Sequence, residues 1–192
     1  MNKRTALFIA LAVALAAVVV YRQIDRDARR INRRLTELKE TLEKSAGAGQ
    51  LRTLTQSRRV TGFFTPEARI TLQPVLSETI KRDHIAPLLL QFHSQLDRLD
   101  IAIHDRQVEI DPAAETAVQR VTVRASASRG QRQERRVDGF EIQWVKIDGE
   151  WYIDRAEMIE TIRAPGSAAM HIRHPFTLIS GVLLAYIDSR GR

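Results

Sequence analysis

The sequence predicts an α+β fold in which helices pack on one face of a curved sheet. Helical patterns fill most of the first half of the chain, and runs of β-branched and aromatic residues fill the second. The clearest strand signal is Phe140–Ile153, where two such runs flank Asp148-Gly149, the typical dipeptide of a tight hairpin. Both tryptophans lie in this hairpin, so we expect it to anchor the core. Helices followed by strands indicate the α+β class.

Composition limits the chemistry more than it limits the fold. The chain has 192 residues, enough for one domain beside an anchor. It has no cysteine, which excludes disulfides, thiol catalysis and thiolate metal sites. The net charge of +7 is concentrated in Arg22–Arg34 and Arg120–Arg136. No aromatic residue interrupts Arg129–Arg136, so nucleic-acid binding is not predicted.

The N-terminus carries a candidate membrane anchor. The basic stretch Met1–Arg4 precedes the uncharged run Thr5–Tyr21, which as a helix spans about 26 Å. A cleavable signal peptide is one interpretation. We favour an uncleaved signal anchor over residues 1–21, because the apolar run continues past the candidate cleavage sites.

Orientation signals conflict. The N-terminal basic residues favour an exported C-terminus, whereas Arg22–Arg34 would hold it in the cytoplasm. We predict a single-pass protein of a bacterial inner membrane whose C-terminal domain lies in the periplasm. Its predicted partners are the membrane itself and other envelope proteins.

A heptad pattern follows the apolar run. Over residues 22–46 the apolar positions recur at spacings of four and three, at Ile24, Ala28, Ile31, Leu35, Leu38 and Leu42. This predicts a coiled-coil stalk that forms a parallel homodimer. The alternative is a single amphipathic helix that packs this stripe on its own domain.

The remaining elements follow in order from local patterns. We predict a helix, a short strand, a longer amphipathic helix, two short β runs, a long strand, a basic turn and the hairpin, whose second strand runs to about Ile162. Their predicted ranges are Gln50–Gly62, Ala68–Leu72, Ile80–Leu99, Asp100–His104 with Gln107–Ile110, Thr116–Ala127, Ser128–Arg136 and Phe140–Ile153. Pro87 suggests that the second helix begins nearer Ile85. Gln119 is a polar exception on the apolar face of its strand.

Residues 50–163 resemble a known superfamily. The segment Phe63–Leu72 (FFTPEARITL), the basic segment Lys81–Ile85, Thr116-Ala117 and the hairpin Trp144–Ile153 occur in the order found in nuclear transport factor 2-like domains, including the SnoaL-like branch. The resemblance implies a cone-shaped, curved antiparallel sheet packed on helices, with a cavity between a long helix and the concave face. It does not imply one function, because the superfamily hosts enzymes, binders and assembly subunits.

Candidate catalytic residues are few. In enzymes of the superfamily, Asp and His inside the cavity do acid–base work, and His93 with Asp97, one helical turn apart, is the nearest match here. Asp100, His104 and Asp105 lie close by in sequence. His171 and His174 lack acidic neighbours, so no metal site is predicted. No phosphate loop is present, and no cofactor is predicted.

The C-terminal tail, residues 164–192, contains the apolar run Phe176–Ile187. Twelve residues are too few to cross a bilayer. We expect this run to dock on the domain, as a lid on the cavity, or to mediate self-association.

The predicted function is a membrane-anchored, non-catalytic interaction or scaffold module of the cell envelope. The alternatives are a binder of a small apolar ligand and a hydrolase, isomerase or dehydratase that uses His93 and Asp97. The contents of the cavity distinguish them: core side chains favour the first, an apolar space the second, and buried ionisable groups the third.

Overall fold

The computed structural model describes residues 3–47, 49–72 and 79–160, with side chains from Arg22 onward except at residues 50–52, 79 and 160. The helices are α1 (Lys3–Leu42), α2 (Gln50–Val60) and α3 (Arg82–Gln95), with a 3-10 turn at Thr61–Phe63. The strands are β1 (Phe64–Thr71), β2 (Thr79–Lys81), β3 (Arg98–Asp111), β4 (Thr116–Arg129), β5 (Arg132–Ile147) and β6 (Glu150–Glu160).

The six strands form one curved sheet in the order β2-β1-β6-β5-β4-β3. The α+β class is therefore confirmed. The prediction of a purely antiparallel sheet was wrong in one place, because β1 pairs with β6 in parallel. Register shifts interrupt the pairing of β3 with β4 and of β5 with β6. Such bulges increase local twist and bend a sheet towards a concave face.

Helix α1 packs its apolar stripe onto this sheet. Ile31, Leu35 and Leu38 are buried in the same cluster as Trp144 and Ile153. Burial of side chains of this size contributes about 1.5–3 kcal/mol each. The same residues would form the seam of the predicted coiled coil. The structure thus matches the other interpretation, an amphipathic helix that packs on its own domain.

The predicted signal anchor is mostly outside the described side chains. The backbone of α1 is one continuous helix from Lys3 to Leu42. The side chains of Thr5–Tyr21 are not among those described. Within the described residues, no helix has an apolar stretch long enough to span a membrane. The tail residues 164–192 also lie outside the described part of the chain.

The predicted hairpin is present, with β5 and β6 joined at Asp148-Gly149. Both turn residues have left-handed backbone angles, with φ of 52° at Asp148 and 81° at Gly149. This is the twist that a two-residue hairpin requires, and Asp-Gly accommodates it at low cost.

Several predicted boundaries were wrong, and β1, for example, begins at Phe64 and not at Ala68. Helix α3 begins at Arg82 and includes Pro87, while Ile80 and Leu99 lie in flanking strands. The two short β runs are a single strand β3, bent where Asp105 has a φ of 51°. The basic segment predicted as a turn instead continues the ladder between β4 and β5 as far as the pair Arg129–Arg132.

Candidate functional site

An apolar cavity lies between α1 and the concave face of the sheet. Its volume is about 180 Å³. Six elements contribute its lining, which consists of Leu35, Leu38, Lys39, Leu42, Phe64, Ile70, Ile101, Ile103, Val121, Val123, Phe140, Ile142, Ile153 and Ala156. Strand alternation explains the composition, because every second residue of each strand faces the helix.

Lys39 is the one charged residue in this lining, and it contributes its alkyl stem. Its Nζ lies 3.2 Å from Glu43 Oε1, and Glu43 Oε1 also accepts the backbone N–H of Ile101 at 3.0 Å. Long basic side chains often cover apolar surface in this manner while the charge finds a partner elsewhere. Among the described residues, the lining of this cavity is therefore hydrocarbon, and no carboxylate or imidazole belongs to it.

A buried ion pair lies one layer beyond the cavity on the same concave face. Asp138 stands directly opposite Val123 across the β4–β5 ladder, and Arg136 stands opposite Ala125. Residues directly opposite each other share a face, so both charged side chains face inward. Arg136 Nε contacts Asp138 Oδ2, and these side chains are only 16% and 9% exposed. Arg136 Nη2 lies 3.4 Å from Met158 Sδ on β6.

His93, the first sequence candidate, is a core residue of α3. It is fully buried, and its Nε2 lies 2.9 Å from the carbonyl oxygen of Leu42. Burial lowers the pKa of His93; the bond to Leu42 opposes this shift and the charge of Lys44 adds to it. The Lys44 ammonium donates to the carbonyl of His93 at 2.5 Å and to that of Leu96. His93 thus links α3 to the end of α1 as a neutral imidazole, and it does not line the cavity.

Asp97, its proposed partner, has a different role. Helix α3 ends at Gln95, so the one-turn spacing assumed from the sequence is not maintained. Asp97 Oδ2 accepts the backbone N–H of Gly130 at 2.6 Å, which supports the tip of the β4–β5 hairpin. No hydrogen bond between the His93 and Asp97 side chains occurs in the described structure. Catalysis by this pair stays a prediction.

The other candidates are dispersed. Asp100 is exposed and forms a two-bond pair with Arg98, while His104 and Asp105 are exposed on β3. Across the described ranges, no group of three or more histidine or acidic side chains could hold a metal ion. His171 and His174 fall outside those ranges.

Sequence reasoning missed a buried polar chain that ties α1 to the sheet. Trp144 Nε1 donates to Gln119 Oε1 at 3.1 Å, and Gln119 Nε2 donates to Asn32 Oδ1 at 3.0 Å. Asn32 Nδ2 then donates to the carbonyl of Ala28 at 3.0 Å. Trp144 and Gln119 are both fully buried. The signal was the polar exception at Gln119 on an otherwise apolar face.

A second polar tether involves the other tryptophan. Asp27 accepts from Lys146 Nζ at 2.9 Å and from Trp151 Nε1 at 3.3 Å. Asp27 is buried, although its position on a highly charged stretch of α1 suggested exposure. These two tethers are structural, because each buried group in them has a protein partner.

A larger groove, of about 480 Å³, lies between α1 and α2. Its lining contains both acidic and basic side chains. The guanidinium carbon of Arg34 lies 4.8 Å from the ring centre of Phe63 and 5.5 Å from that of Tyr152. Arg34 also donates to the carbonyls of Trp151 and Gly62 at 3.3 and 3.2 Å. These contacts make Arg34 a structural clamp, and the groove presents no single chemistry to a ligand.

No protein-family model matches the chain, and no curated protein matches it either. Solved structures do match. A nuclear transport factor 2-like protein with a cystatin-like fold from Novosphingobium aromaticivorans aligns with a TM-score of 0.61 at 16% identity, covering 81% of this chain and 93% of that one. The chain has a nuclear transport factor 2-like fold.

Two further structures support this assignment. A protein from the same bacterium, provisionally assigned as a scytalone dehydratase, gives a TM-score of 0.58 at 14% identity over 74% of this chain and 95% of that one. A protein of unknown function from Mycobacterium tuberculosis gives a TM-score of 0.60 at 14% identity, covering 86% of this chain and 91% of that one. At these identities the comparison establishes the nuclear transport factor 2-like fold alone.

Proposed function

We propose that this chain is a membrane-anchored domain that binds a small, largely apolar molecule in the cavity between α1 and the sheet. The observation that carries the proposal is the hydrocarbon lining of that cavity. Of the three functions distinguished from the sequence, an apolar space favours ligand binding over a scaffold with a filled core. It also disfavours acid–base catalysis, since the residues that the structure describes in the cavity wall include no acid or imidazole.

The volume limits the ligand to a single ring or a short chain. An apolar cavity of about 150 Å³ in another protein accommodates benzene, and this one measures about 180 Å³. A probe such as toluene, with seven heavy atoms, is expected to bind with a Kd on the order of 0.1–1 mM, given roughly 0.7 kcal/mol per heavy atom.

A paired substitution tests the proposal. Ala156→Leu adds three heavy atoms to a side chain that lines the cavity. Ala102→Leu makes the same change on the outer face of β3, because the flanking residues Ile101 and Ile103 face inward. Toluene binding to the full-length chain is measured by NMR, with a protein-free blank of the same buffer and solubilising agent. We expect Ala156→Leu to abolish binding and Ala102→Leu to retain it; equal binding by both variants would contradict the proposal.

The anchor is the second part of the proposal, and α1 supports it. The apolar run and the roof of the cavity belong to one continuous helix, Lys3–Leu42. At about 1.5 Å per residue, a bilayer surface near Tyr21 lies roughly 21 Å from Leu35 and 32 Å from Leu42 along this helix. The proposed geometry holds the cavity away from the lipid, so its ligand arrives from the aqueous phase.

Reporter fusions test location. We expect a C-terminal reporter that is active only in the periplasm to give signal, and one active only in the cytoplasm to give none. The reverse result would show that Arg22–Arg34 sets the orientation, and it would remove the envelope role.

A further inference from the structure

The junction between α1 and the edge strand β3, formed by residues 36–43 and 101–106, is one wall of the cavity. We infer that a ligand enters through this α1–β3 junction, at a portal that Lys39 covers and Glu43 holds closed. This inference rests on the proposed function and adds the route into the same site. Glu43 is a positioning residue, because it acts on the ligand only through the two lining residues that it contacts, Lys39 and Ile101.

Three residues on one flank of α1 face β3: Thr36, Lys39 and Glu43. Their spacing of three and four residues places them in one row along the helix. At one end of the row, Arg106 Nη1 donates to Thr36 Oγ1 at 3.0 Å. At the other end, Glu43 Oε1 accepts the backbone N–H of Ile101 at 3.0 Å. Since β3 runs in the opposite direction to α1, Lys39 lies between these two contacts.

The two contacts leave a gap between them. Thr36 and Glu43 are seven residues apart, which is about 10 Å along a helix. Opposite this stretch, Ala102–Asp105 form no hydrogen bond with α1 in the part of the chain that the structure describes. Ile103 lies in the middle of the gap and lines the cavity, as does Lys39. Two lining residues therefore face each other where no described hydrogen bond joins the two elements.

Exposure of the lining residues also increases towards the junction. Leu35 and Ile153, at the deep end of the cavity, are buried. Ile101 and Ile103, beside the junction, are only half-buried. The Lys39 side chain is 27% exposed. The junction is therefore a point at which the cavity approaches the solvent.

The junction can open without breaking the sheet. β3 is the last strand of the sheet and pairs only with β4, so it can move without disrupting a second ladder. Its register shifts between His104 and Gln107, and such a bulge bends a strand locally. Lys39 and Glu43 form a partly exposed ion pair one helical turn apart. Pairs of this kind contribute little to stability, so the Lys39 ammonium can exchange Glu43 for water and move aside.

Toluene exchange with the full-length chain, measured by NMR relaxation dispersion, tests the portal. A portal changes the barrier to entry, but neither the free nor the bound state. We therefore expect Glu43→Ala to raise the association and dissociation rate constants together by at least about threefold, with Kd changed by less than about twofold. Glu43→Gln keeps an oxygen acceptor for the Ile101 N–H and should have a smaller effect.

The matched control is Glu40→Ala, because Glu40 is exposed on another side of α1. It should leave both rate constants unchanged. If Glu43→Ala changes Kd while the association rate constant stays the same, Glu43 shapes the cavity and does not guard an entrance, and the inference is wrong.

A bulky group tests the place of entry. The chain has no cysteine, so a single introduced thiol can be modified selectively. We expect a large maleimide on the Lys39→Cys variant to slow toluene association at least about fivefold, and the same maleimide on the Glu40→Cys variant to leave it unchanged. Equal association in both modified variants would refute the portal alone. If toluene does not bind the unmodified chain, the proposed function fails as well.

Hydrogen exchange at Ile101 reports the closing contact directly, because its amide donates to Glu43. In Glu43→Ala we expect this amide to exchange at least about tenfold faster, while the amides of the β4–β5 ladder keep their protection. In Glu43→Gln the Ile101 amide should stay protected. Unchanged exchange at Ile101 in Glu43→Ala would show that Glu43 does not hold the strand, and it would overturn the inference.

Discussion

Replacing Gln119 with leucine tests how the helix is held on the sheet. Gln119 is fully buried and connects two elements: it accepts from Trp144 and donates to Asn32. Leucine is of similar size but can do neither. Two polar groups would lose their partners, the buried indole N–H of Trp144 and the half-buried amide oxygen of Asn32.

The magnitude follows from those two groups. Each buried polar group without a partner costs about 1–3 kcal/mol, and the apolar side chain recovers part of this. We expect a loss of about 3 kcal/mol in the free energy of unfolding, which corresponds to a decrease in Tm of roughly 6–12 °C for a domain of this size. Urea unfolding monitored by tryptophan fluorescence gives the free energy, and a thermal scan gives the Tm.

The control is Gln143→Leu on the neighbouring strand. Gln143 lies on the opposite face of the sheet, because its neighbours Ile142 and Trp144 are both buried in the core. A surface substitution of this kind is expected to change stability by less than about 0.5 kcal/mol. The reasoning fails if Gln119→Leu and Gln143→Leu have the same effect, since the hydrogen bonds across Gln119 would then contribute nothing net.

Three further tests probe other contacts. Burial lowers the pKa of His93, so below pH 6.5 the unfolded chain binds more protons than the folded one. The free energy of unfolding should therefore fall as the pH decreases from 7 to 5. In urea unfolding, His93→Gln should reduce the dependence of the midpoint on pH. Asp27→Asn leaves the Lys146 ammonium buried without its anion and should cost about 3–5 kcal/mol, whereas Asp27→Leu/Lys146→Met should recover most of the loss. Gly149→Ala should lower the free energy of unfolding by about 1–2 kcal/mol, because Gly149 has a φ of 81°. At Gly62 an added Cβ also meets open space, so Gly62→Ala should lower it less. Thermal unfolding of the two variants compares them.

Local chemistry made the central hairpin predictable. Asp148 and Gly149 occupy the two left-handed positions of a tight turn, which few other dipeptides tolerate. The tip of the β4–β5 hairpin was less predictable. Beyond the core both faces of a strand are solvated, so alternation disappears while the backbone ladder continues to Arg129–Arg132.

The polar residues that hold α1 were missed for a related reason. Asp27 and Asn32 lie among many charged neighbours on α1, so the sequence shows no contrast between buried and exposed polar positions. Their contacts depend on partners more than 80 residues away, with Gln119 87 positions from Asn32 and Lys146 119 positions from Asp27. Local periodicity carries no information about such long-range pairing. Gln119 was visible as an exception because its strand is otherwise apolar on that face.

Because local periodicity carries no information about long-range contacts, His93 and Asp97 looked like a pair on one helix. For the same reason the cavity could be expected only from the family resemblance. The pair needed a helix that continues to Asp97, but α3 ends at Gln95 and the carboxylate turns to the backbone of Gly130. A cavity, in contrast, exists only where facing side chains are too small to fill the space between elements.

Ala156 has the smallest side chain of the residues that line the cavity. On the core side of β6 it lies between Ile153 and Met158, which pair with Trp144 and Phe140 on β5. A larger residue at this position would fill part of the space. Apolar space left unfilled in this way forgoes packing energy, because the side chains that line it lack contacts on one side. Ligand binding offsets such a loss by mass action, and so an alanine that favours the cavity over a filled core is more consistent with a binding protein than with a scaffold.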